Sequence, residues 1–162
     1  MLMNFALLAA LIVLFVLFMA AAIAFLLKLI IKTAPLDVQE RLSGRPDAPA
    51  WKTALGIVIC LCLLLGIAAV LVYAGFDAVR SHMGFWQIFL RFFILFAGYK
   101  LFDMFFFDYL LLTKMNVYQK FFPEVAGCRS MEKFGFNLKS QLLKLAAFTA
   151  AALIVAAVLV HF

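Results

Sequence analysis

The side chains best suited to chemistry lie in an otherwise apolar, phenylalanine-rich stretch, residues 84–113. Lys100 and Asp103 are three positions apart, which places them on one face of an α-helix and within reach of an ion pair. Asp108 follows five positions later. If this stretch crosses a membrane, an unpaired charge at its centre costs from about 3 to more than 10 kcal/mol. Such residues are therefore usually paired, turned into a helix bundle or exposed to a water-filled cavity.

Two interpretations of this group remain open from the sequence. In the first, an ion, a proton or a polar solute binds to a group that we call the polar site: Tyr99, Lys100, Asp103 and Asp108. In the second, Lys100 and Asp103 form an internal ion pair that fixes helix register, or Lys100 extends to water. An α-helix separates Asp103 and Asp108 by about 140°, so these two carboxylates alone are not expected to chelate a metal ion.

An aromatic stripe runs through the same segment. At about 100° per residue, one set of side chains falls within about 80° on one face of the predicted helix. Its members are Phe85, Phe89, Phe92, Phe96, Tyr99, Asp103 and Phe107. Core packing or lipid contact explains the aromatic members of the stripe. Neither explains Asp103.

The remaining reactive side chains form no recognisable site. Cys60 and Cys62 point to opposite sides of one helix, so they cannot share a metal ion or act as a C-x-x-C redox pair. The histidines, His82 and His161, have no acidic cluster beside them. The H-E-x-x-H, G-x-x-x-x-G-K-S/T and G-x-S-x-G motifs are absent from the sequence. We therefore predict no metal site, no cofactor and no catalytic residues, and the sequence disfavours an enzyme.

The overall composition is that of a membrane protein. Of the 162 residues, 69% are hydrophobic and 14% are charged, and the mean hydropathy is +1.15. Typical soluble domains contain about 45–50% apolar and about 25% charged residues. So few polar residues cannot cover the surface of a soluble fold of this size. The composition also excludes a disordered chain and a disulfide-stapled secreted domain.

Four stretches are long enough to cross the hydrocarbon core of a bilayer, which takes about 20 residues of helix. We predict an all-α, polytopic membrane protein: a single membrane domain over residues 1–162, with four transmembrane helices and a short interfacial amphipathic helix. The transmembrane helices are predicted at about 3–30, 51–74, 85–113 and 137–161, and the cytoplasmic loops at about 31–50 and 114–136. In the first loop Leu36, Val38 and Leu42 alternate with charged residues, which indicates a helix lying on the membrane surface.

The distribution of Lys and Arg predicts the orientation. The two longer loops with their flanks hold five and six of these residues, whereas the connection between the second and third spans holds only Arg80. Because such loops stay in the cytoplasm, both termini are predicted outside it. The net charge of +6 follows from these loops, so we predict anionic lipids of the cytoplasmic leaflet, and no nucleic acid, as partners. The predicted headgroup contacts are Lys28, Lys32, Lys114 and Lys120.

Small residues recur four positions apart in the first and last spans, as in the pairs Ala20–Ala24 and Ala152–Ala156. Gly56 and Cys60 form a similar pair in the second span. This spacing lets helix backbones approach closely in lipid, where no hydrophobic force drives helix association. The pattern fits either a homo-oligomer contact or ordinary packing within one four-helix bundle.

Residues 102–142 contain three short motifs, FDMFFFDYLLLTK, FFPE and FGFNLKSQLL. This segment resembles the second half of small bacterial four-helix integral membrane proteins of unknown function. The corresponding positions are Asp103, Asp108, Pro123, Asn137 and Lys139. The resemblance implies a multi-pass protein of a bacterial inner membrane, and it implies no activity.

Three hypotheses of function follow. In the leading one, the protein is a small oligomeric channel, transporter-type or solute-binding protein that uses the polar site. In the second, it is a non-catalytic accessory or scaffold subunit that docks other membrane proteins through its Ala-rich faces and basic loops. In the third, it is a lipid-modifying enzyme whose headgroup site gathers Asp108, Lys114, Tyr118 and Glu124.

The orientation can be tested by labelling introduced cysteines from outside the cell. We expect Arg45→Cys and Arg129→Cys to be protected from a membrane-impermeant reagent and Ser81→Cys to react, because only Ser81 lies in a connection predicted outside. The reverse pattern would contradict the cytoplasmic placement of both longer loops.

Overall fold

The computed structural model describes residues 2–32, 35–44, 46, 48–115, 119–120, 122–128, 130 and 138–162. Its α-helices are α1 (Leu2–Phe25), α2 (Leu27–Ile31), α3 (Leu36–Leu42), α4 (Ala50–Arg80), α5 (Phe85–Phe102) and α6 (Leu138–Leu159). A π-helical segment, Asp103–Lys114, continues α5, and Pro123–Val125 forms a 3₁₀ turn. No strand occurs in the described ranges, which confirms the predicted all-α fold class.

Three helices have the length and the apolar composition needed to cross a membrane: α1, α4 and residues Lys139–Leu159 of α6. Their long uncharged runs suit a helix in lipid, because all of its backbone polar groups are bonded within the segment. The stretch predicted as the third span is helical from Phe85 to Lys114, but it carries charges along its length. Helix α4 runs on to Arg80, and a break at Leu26 separates α1 from α2.

Helix α5 lies at the centre of the bundle. It packs against α1 and against α6, while α4 packs mainly on α1. Buried residues of these four helices form one apolar core: Leu7, Leu11, Ala74, Ala78, Ile88, Phe92, Leu95, Ala152 and Ala156. Large apolar side chains such as Leu65 and Val72 also point outward. A helix that is apolar on all sides suits a membrane and not water.

Small residues mark the close approaches between helices. A Cβ atom added at Gly56 of α4 would lie 2.3 Å from the Cβ atom of Phe25 in α1, so only glycine fits there. Ala156 of α6 is fully buried in the core. Part of the small-residue pattern therefore serves packing within the chain, whereas Ala20 and Ala24 stay exposed on α1.

A buried guanidinium group joins three helices at one end of the bundle. Arg91 of α5 is only 2% exposed. Its Nε atom donates to Oδ1 of Asn4 in α1 at 3.0 Å. Its Nη1 atom donates to the carbonyl oxygen of Ala74 at 3.0 Å and to Oδ2 of Asp77 at 2.7 Å, both in α4. This set of residues, the Arg91 network, balances the charge and fixes α1, α4 and α5 relative to one another through the rigid donor fork of arginine.

The two longer connections pack together at the other end. Val38 and Leu42 of α3 are buried against a cluster that includes Val125 of the 3₁₀ turn. The carboxylate of Asp37 accepts a hydrogen bond from the Ser130 hydroxyl at 2.7 Å and one from the Ser130 amide at 3.2 Å. The hydroxyl bond is the main reason why the pKa of Asp37 is lowered from its usual value. Both connections therefore lie at the same end of the bundle.

The apolar side of α3 contacts protein. The sequence predicts that this side lies on the membrane surface, and in the structure Val38 and Leu42 pack on the second long connection while Leu36 remains 75% exposed. Arg45 and Arg129, the two protected positions of the labelling test, lie outside the described residues, as does Asn137 at the predicted start of the last span.

The Arg91 network can be tested with a double-mutant cycle. Asp77→Asn leaves a buried, uncompensated guanidinium, and we expect it to lower the free energy of unfolding by about 3–5 kcal/mol. Adding Arg91→Met removes the orphaned charge and should recover part of that loss. Arg80→Met, at an exposed arginine of the same helix end, is the control and should change stability little. Additive losses in the cycle would contradict a direct Arg91–Asp77 coupling.

Candidate polar site in the helix bundle

Lys100 forms the ion pair that its spacing from Asp103 predicts. It lies in the last turn of α5 and is 5% exposed. Its Nζ atom bonds to Oδ2 of Asp103, the first residue of the π-helical segment. A lysine buried this deeply needs a counter-charge, because burial removes the water that otherwise stabilises its ammonium group. The pair is thus the centre of the polar site.

The π-helical segment changes the geometry expected of the two carboxylates. Its hydrogen bonds join residues five apart instead of four, and Asp103 and Asp108 are five apart within it. The two side chains therefore lie one π turn apart on the same side. The separation of about 140° that an α-helix imposes does not apply here.

Gln141 of α6 completes the surroundings of Asp108. Its Nε2 atom donates to Oδ2 of Asp108 at 2.6 Å, which ties α6 to the π-helical segment. Gln141 is 9% exposed, and its Oε1 atom is buried and receives no hydrogen bond from the described residues. A buried acceptor without a donor costs about 1–3 kcal/mol. The side-chain oxygen of Gln141 is therefore an acceptor without a donor among the described residues, and it lies next to the carboxylate of Asp108.

Tyr99 connects the polar site to an apolar cavity. Its ring packs edge-on against Phe15 of α1 with ring centroids 4.7 Å apart, and it also contacts Phe148 of α6. The cavity measures about 310 Å³, and we call it the aromatic cavity. Its lining residues are Leu11, Phe15, Phe18, Leu64, Ile67, Leu71, Leu95, Phe96, Tyr99 and Phe148. Among them Tyr99 has the one polar side chain.

The polar site combines a basic group with oxygen acceptors. Lys100 is paired with Asp103, and Asp108 accepts a hydrogen bond from Gln141, whose Oε1 atom has no donor among the described residues. The site therefore offers carboxylate and amide oxygens to a cation or a proton.

The other predicted site residues lie elsewhere. Lys28, Lys32, Lys114 and Lys120 are all exposed, as lipid-headgroup contacts must be. For the lipid-modifying hypothesis, Asp108 lies against α6, whereas the backbone of Glu124 accepts a bond from α3, and Tyr118 is outside the described residues. Within the described ranges, no three His, Cys, Asp or Glu side chains are grouped to hold a metal ion.

Neither Gln141 nor most of the Arg91 network is predicted from the sequence. A signal for both exists in the sequence, because Asn4 and Gln141 are uncharged polar residues inside or beside long apolar runs. In lipid such a side chain normally finds a polar partner on another helix. The sequence does not say which helix carries that partner.

The Lys100–Asp103 pair can be tested by a second mutant cycle. We expect Asp103→Asn and Lys100→Met each to lower thermal stability, because either change leaves the surviving charge unpaired in a low dielectric. The double variant should recover part of the loss. Lys139→Met, which removes an exposed lysine of α6, should leave the melting temperature nearly unchanged. Equal and additive losses would show that the two charges are not coupled.

Comparison of the chain with protein-family models, with curated proteins and with solved structures finds no match. The similarity of residues 102–142 to small bacterial membrane proteins therefore stands on its short motifs alone. A function for this protein has to be argued from the polar site, from Gln141 and from the aromatic cavity beside them.

Proposed function

We propose that this is a multi-pass inner-membrane protein that binds a proton or a cation at the polar site, as a small channel, transporter-type or solute-binding protein does. Its four spans are α1, α4, α5 with the π-helical segment, and α6. Both termini lie outside the cytoplasm in this proposal. The exposed lysines Lys28, Lys32, Lys114 and Lys120 then contact anionic lipid headgroups.

The fourth span is supported by the pairing of its charges. Arg91 is neutralised by Asp77, and Lys100 by Asp103, so neither basic side chain of α5 presents a bare charge to lipid. Paired charges that face the bundle interior are the form in which membranes tolerate ionisable residues. Helix α5 also packs between α1 and α6, two helices that are long and apolar enough to span.

The observation that carries the functional proposal is the buried Oε1 atom of Gln141, which has no donor among the described residues while its amide nitrogen holds Asp108. Amide and carboxylate oxygens are the ligands that hard cations prefer, and a proton on the carboxyl group supplies a donor in their place.

Assembly into an oligomer is part of the proposal. A single bundle of four helices leaves little room for a pathway, and Ala20 and Ala24 of α1 are exposed at the spacing that lets helices of neighbouring copies approach. A contact of this kind does not compete with the packing inside the bundle, which uses Gly56 and Ala156.

Asp108→Asn tests the site, because we expect it to abolish ligand binding and to raise the stability of the ligand-free protein. The new amide brings an N–H donor close to the Oε1 atom of Gln141, which has none among the described residues, so we expect a higher melting temperature than wild type in ligand-free buffer. In lipid nanodiscs at constant ionic strength, replacing N-methylglucamine chloride by NaCl or KCl, or lowering the pH, should raise the melting temperature of the wild type by mass action. The melting temperature of Asp108→Asn should not rise with either alkali cation or at the lower pH.

Glu40→Gln is the matched control, because it removes one exposed carboxylate from α3, far from the polar site. It should neither raise the starting melting temperature nor abolish the response. The proposal fails if Asp108→Asn is less stable than the wild type, or if the wild type responds to neither alkali cations nor protons.

A further inference from the structure

The aromatic cavity lies where all four long helices meet. Its walls come from α1 (Phe15), α4 (Ile67), α5 (Tyr99) and α6 (Phe148), among other residues. It exists because α4 packs mainly on α1, and α6 on α5, which leaves a gap between the two pairs. The volume of about 310 Å³ is roughly twice that of a cavity that holds one benzene ring, which measures about 150 Å³. The aromatic cavity therefore has room for two fused rings.

The depth of the cavity restricts the charge of its occupant. Phe15, Ile67 and Phe148 lie close to the midpoints of α1, α4 and α6, the three helices that are long and apolar enough to cross a membrane. In a bilayer these midpoints lie near the centre of the hydrocarbon core, where a charged molecule is strongly disfavoured. The described residues that line the cavity include no acidic or basic side chain. A neutral, lipid-soluble molecule therefore suits this position.

The walls favour an aromatic body. Half of the lining residues carry aromatic rings: Phe15, Phe18, Phe96, Tyr99 and Phe148. The rings of Phe15 and Tyr99 already pack edge-on, with centroids 4.7 Å apart, and those of Phe96 and Phe148 are 6.0 Å apart. Aromatic pairs at such distances contribute free energy beyond that of area burial. A bound ring gains these contacts from several sides, whereas an alkyl chain gains dispersion alone.

Tyr99 is the lining residue whose side chain can form hydrogen bonds. Its ring contacts the rings of Phe15 and Phe148, and the residue is partly buried. Its hydroxyl group forms no hydrogen bond with the described residues. A tyrosine hydroxyl in apolar surroundings normally has a partner, and it can donate to a carbonyl oxygen. A ligand that carries a carbonyl group supplies the acceptor that the described part of the chain does not.

We propose that the aromatic cavity binds a neutral, lipid-soluble aromatic carbonyl compound, that is, a molecule with fused rings and a carbonyl oxygen. The rings fill the space between the two helix pairs, and the carbonyl oxygen accepts a hydrogen bond from the Tyr99 hydroxyl. This ligand is additional to the proton or cation of the polar site. The inference therefore goes beyond the proposed function and does not depend on it.

Other occupants satisfy only part of the cavity. Water needs two to four polar partners, and Tyr99 is the one polar side chain among the described lining residues. A lipid acyl chain fills the apolar walls but leaves the Tyr99 hydroxyl without an acceptor. A cation finds no carboxylate among those lining residues. An aromatic carbonyl compound meets both the rings and the hydroxyl.

The test compares two ligands of the same shape. Methyl β-naphthyl ketone and its isostere β-isopropenylnaphthalene, in which a methylene group replaces the carbonyl oxygen, are titrated by calorimetry into the purified, full-length protein in lipid nanodiscs. Titrations into protein-free nanodiscs are subtracted. Both ligands should bind to the wild type, because both have the rings that the walls contact.

Tyr99→Phe keeps the aromatic ring and removes only the hydroxyl group. We expect it to lower the affinity for the ketone about fivefold, the effect of losing one hydrogen bond, and to leave the affinity for the alkene unchanged. Partition of each compound into the lipid is the same for wild type and variant, so it cancels in this comparison. Tyr73→Phe is the matched control, at an exposed tyrosine of α4 that does not line the cavity, and should change neither affinity.

A second pair of variants tests the cavity itself. Ile67→Trp fills the cavity and should abolish binding of both ligands, whereas Ile57→Trp, at an exposed position of the same helix that does not line the cavity, should leave binding intact. If Ile67→Trp does not fold, Tyr99→Phe decides alone. The inference is wrong if the ketone does not bind to the wild type, if it still binds to folded Ile67→Trp, or if Tyr99→Phe affects both ligands equally or neither of them.

Discussion

The buried guanidinium group of Arg91 is the constraint on which the arrangement of the other helices depends. A charge that is 2% exposed in an apolar bundle has to meet its acceptors, and these lie on α1 and α4. Satisfying them fixes the rotation of α5 about its own axis. Lys100 is nine positions further along, which places it about 180° away on the same helix. Anchoring Arg91 on one side therefore turns Lys100 to the opposite side, where the polar site forms.

The change from α- to π-helix at Asp103 gives the polar site its geometry. An unbroken α-helix directs Asp103 and Asp108 to different sides, where each needs a separate partner in lipid. The π-helical segment brings the two carboxylates to the same side. Lys100 pairs with the first of them, and Gln141 binds the second. π-Helical turns are often found at functional sites, because they realign side chains at a cost in backbone geometry. Here the π-helical turn places two carboxylates beside one buried lysine.

Close packing and open space coexist in this bundle because the small residues are unevenly placed. Gly56 brings α4 against α1, and Ala152 and Ala156 bring α6 against α5. Between these two tight pairs the facing side chains are large and aromatic, including Phe96 and Phe148, and they do not interdigitate fully. The aromatic cavity is what remains. It opens beside the polar site because Tyr99, one turn before Asp103, belongs to both.

The sequence by itself determined the elements and the local pairs. Apolar run lengths predict the long helices, and the spacing of Lys100 and Asp103 predicts their ion pair, because both properties depend on residues close together in the chain. The tertiary structure decided the partners of Arg91 and Asp108. Arg91 bonds to Asn4 across 87 positions, and Asp108 to Gln141 across 33. No helical periodicity relates residues so far apart. Those contacts, the π-helical turn and the cavity follow from how whole helices pack, since burial leaves each polar group only the partners that its neighbouring helices supply.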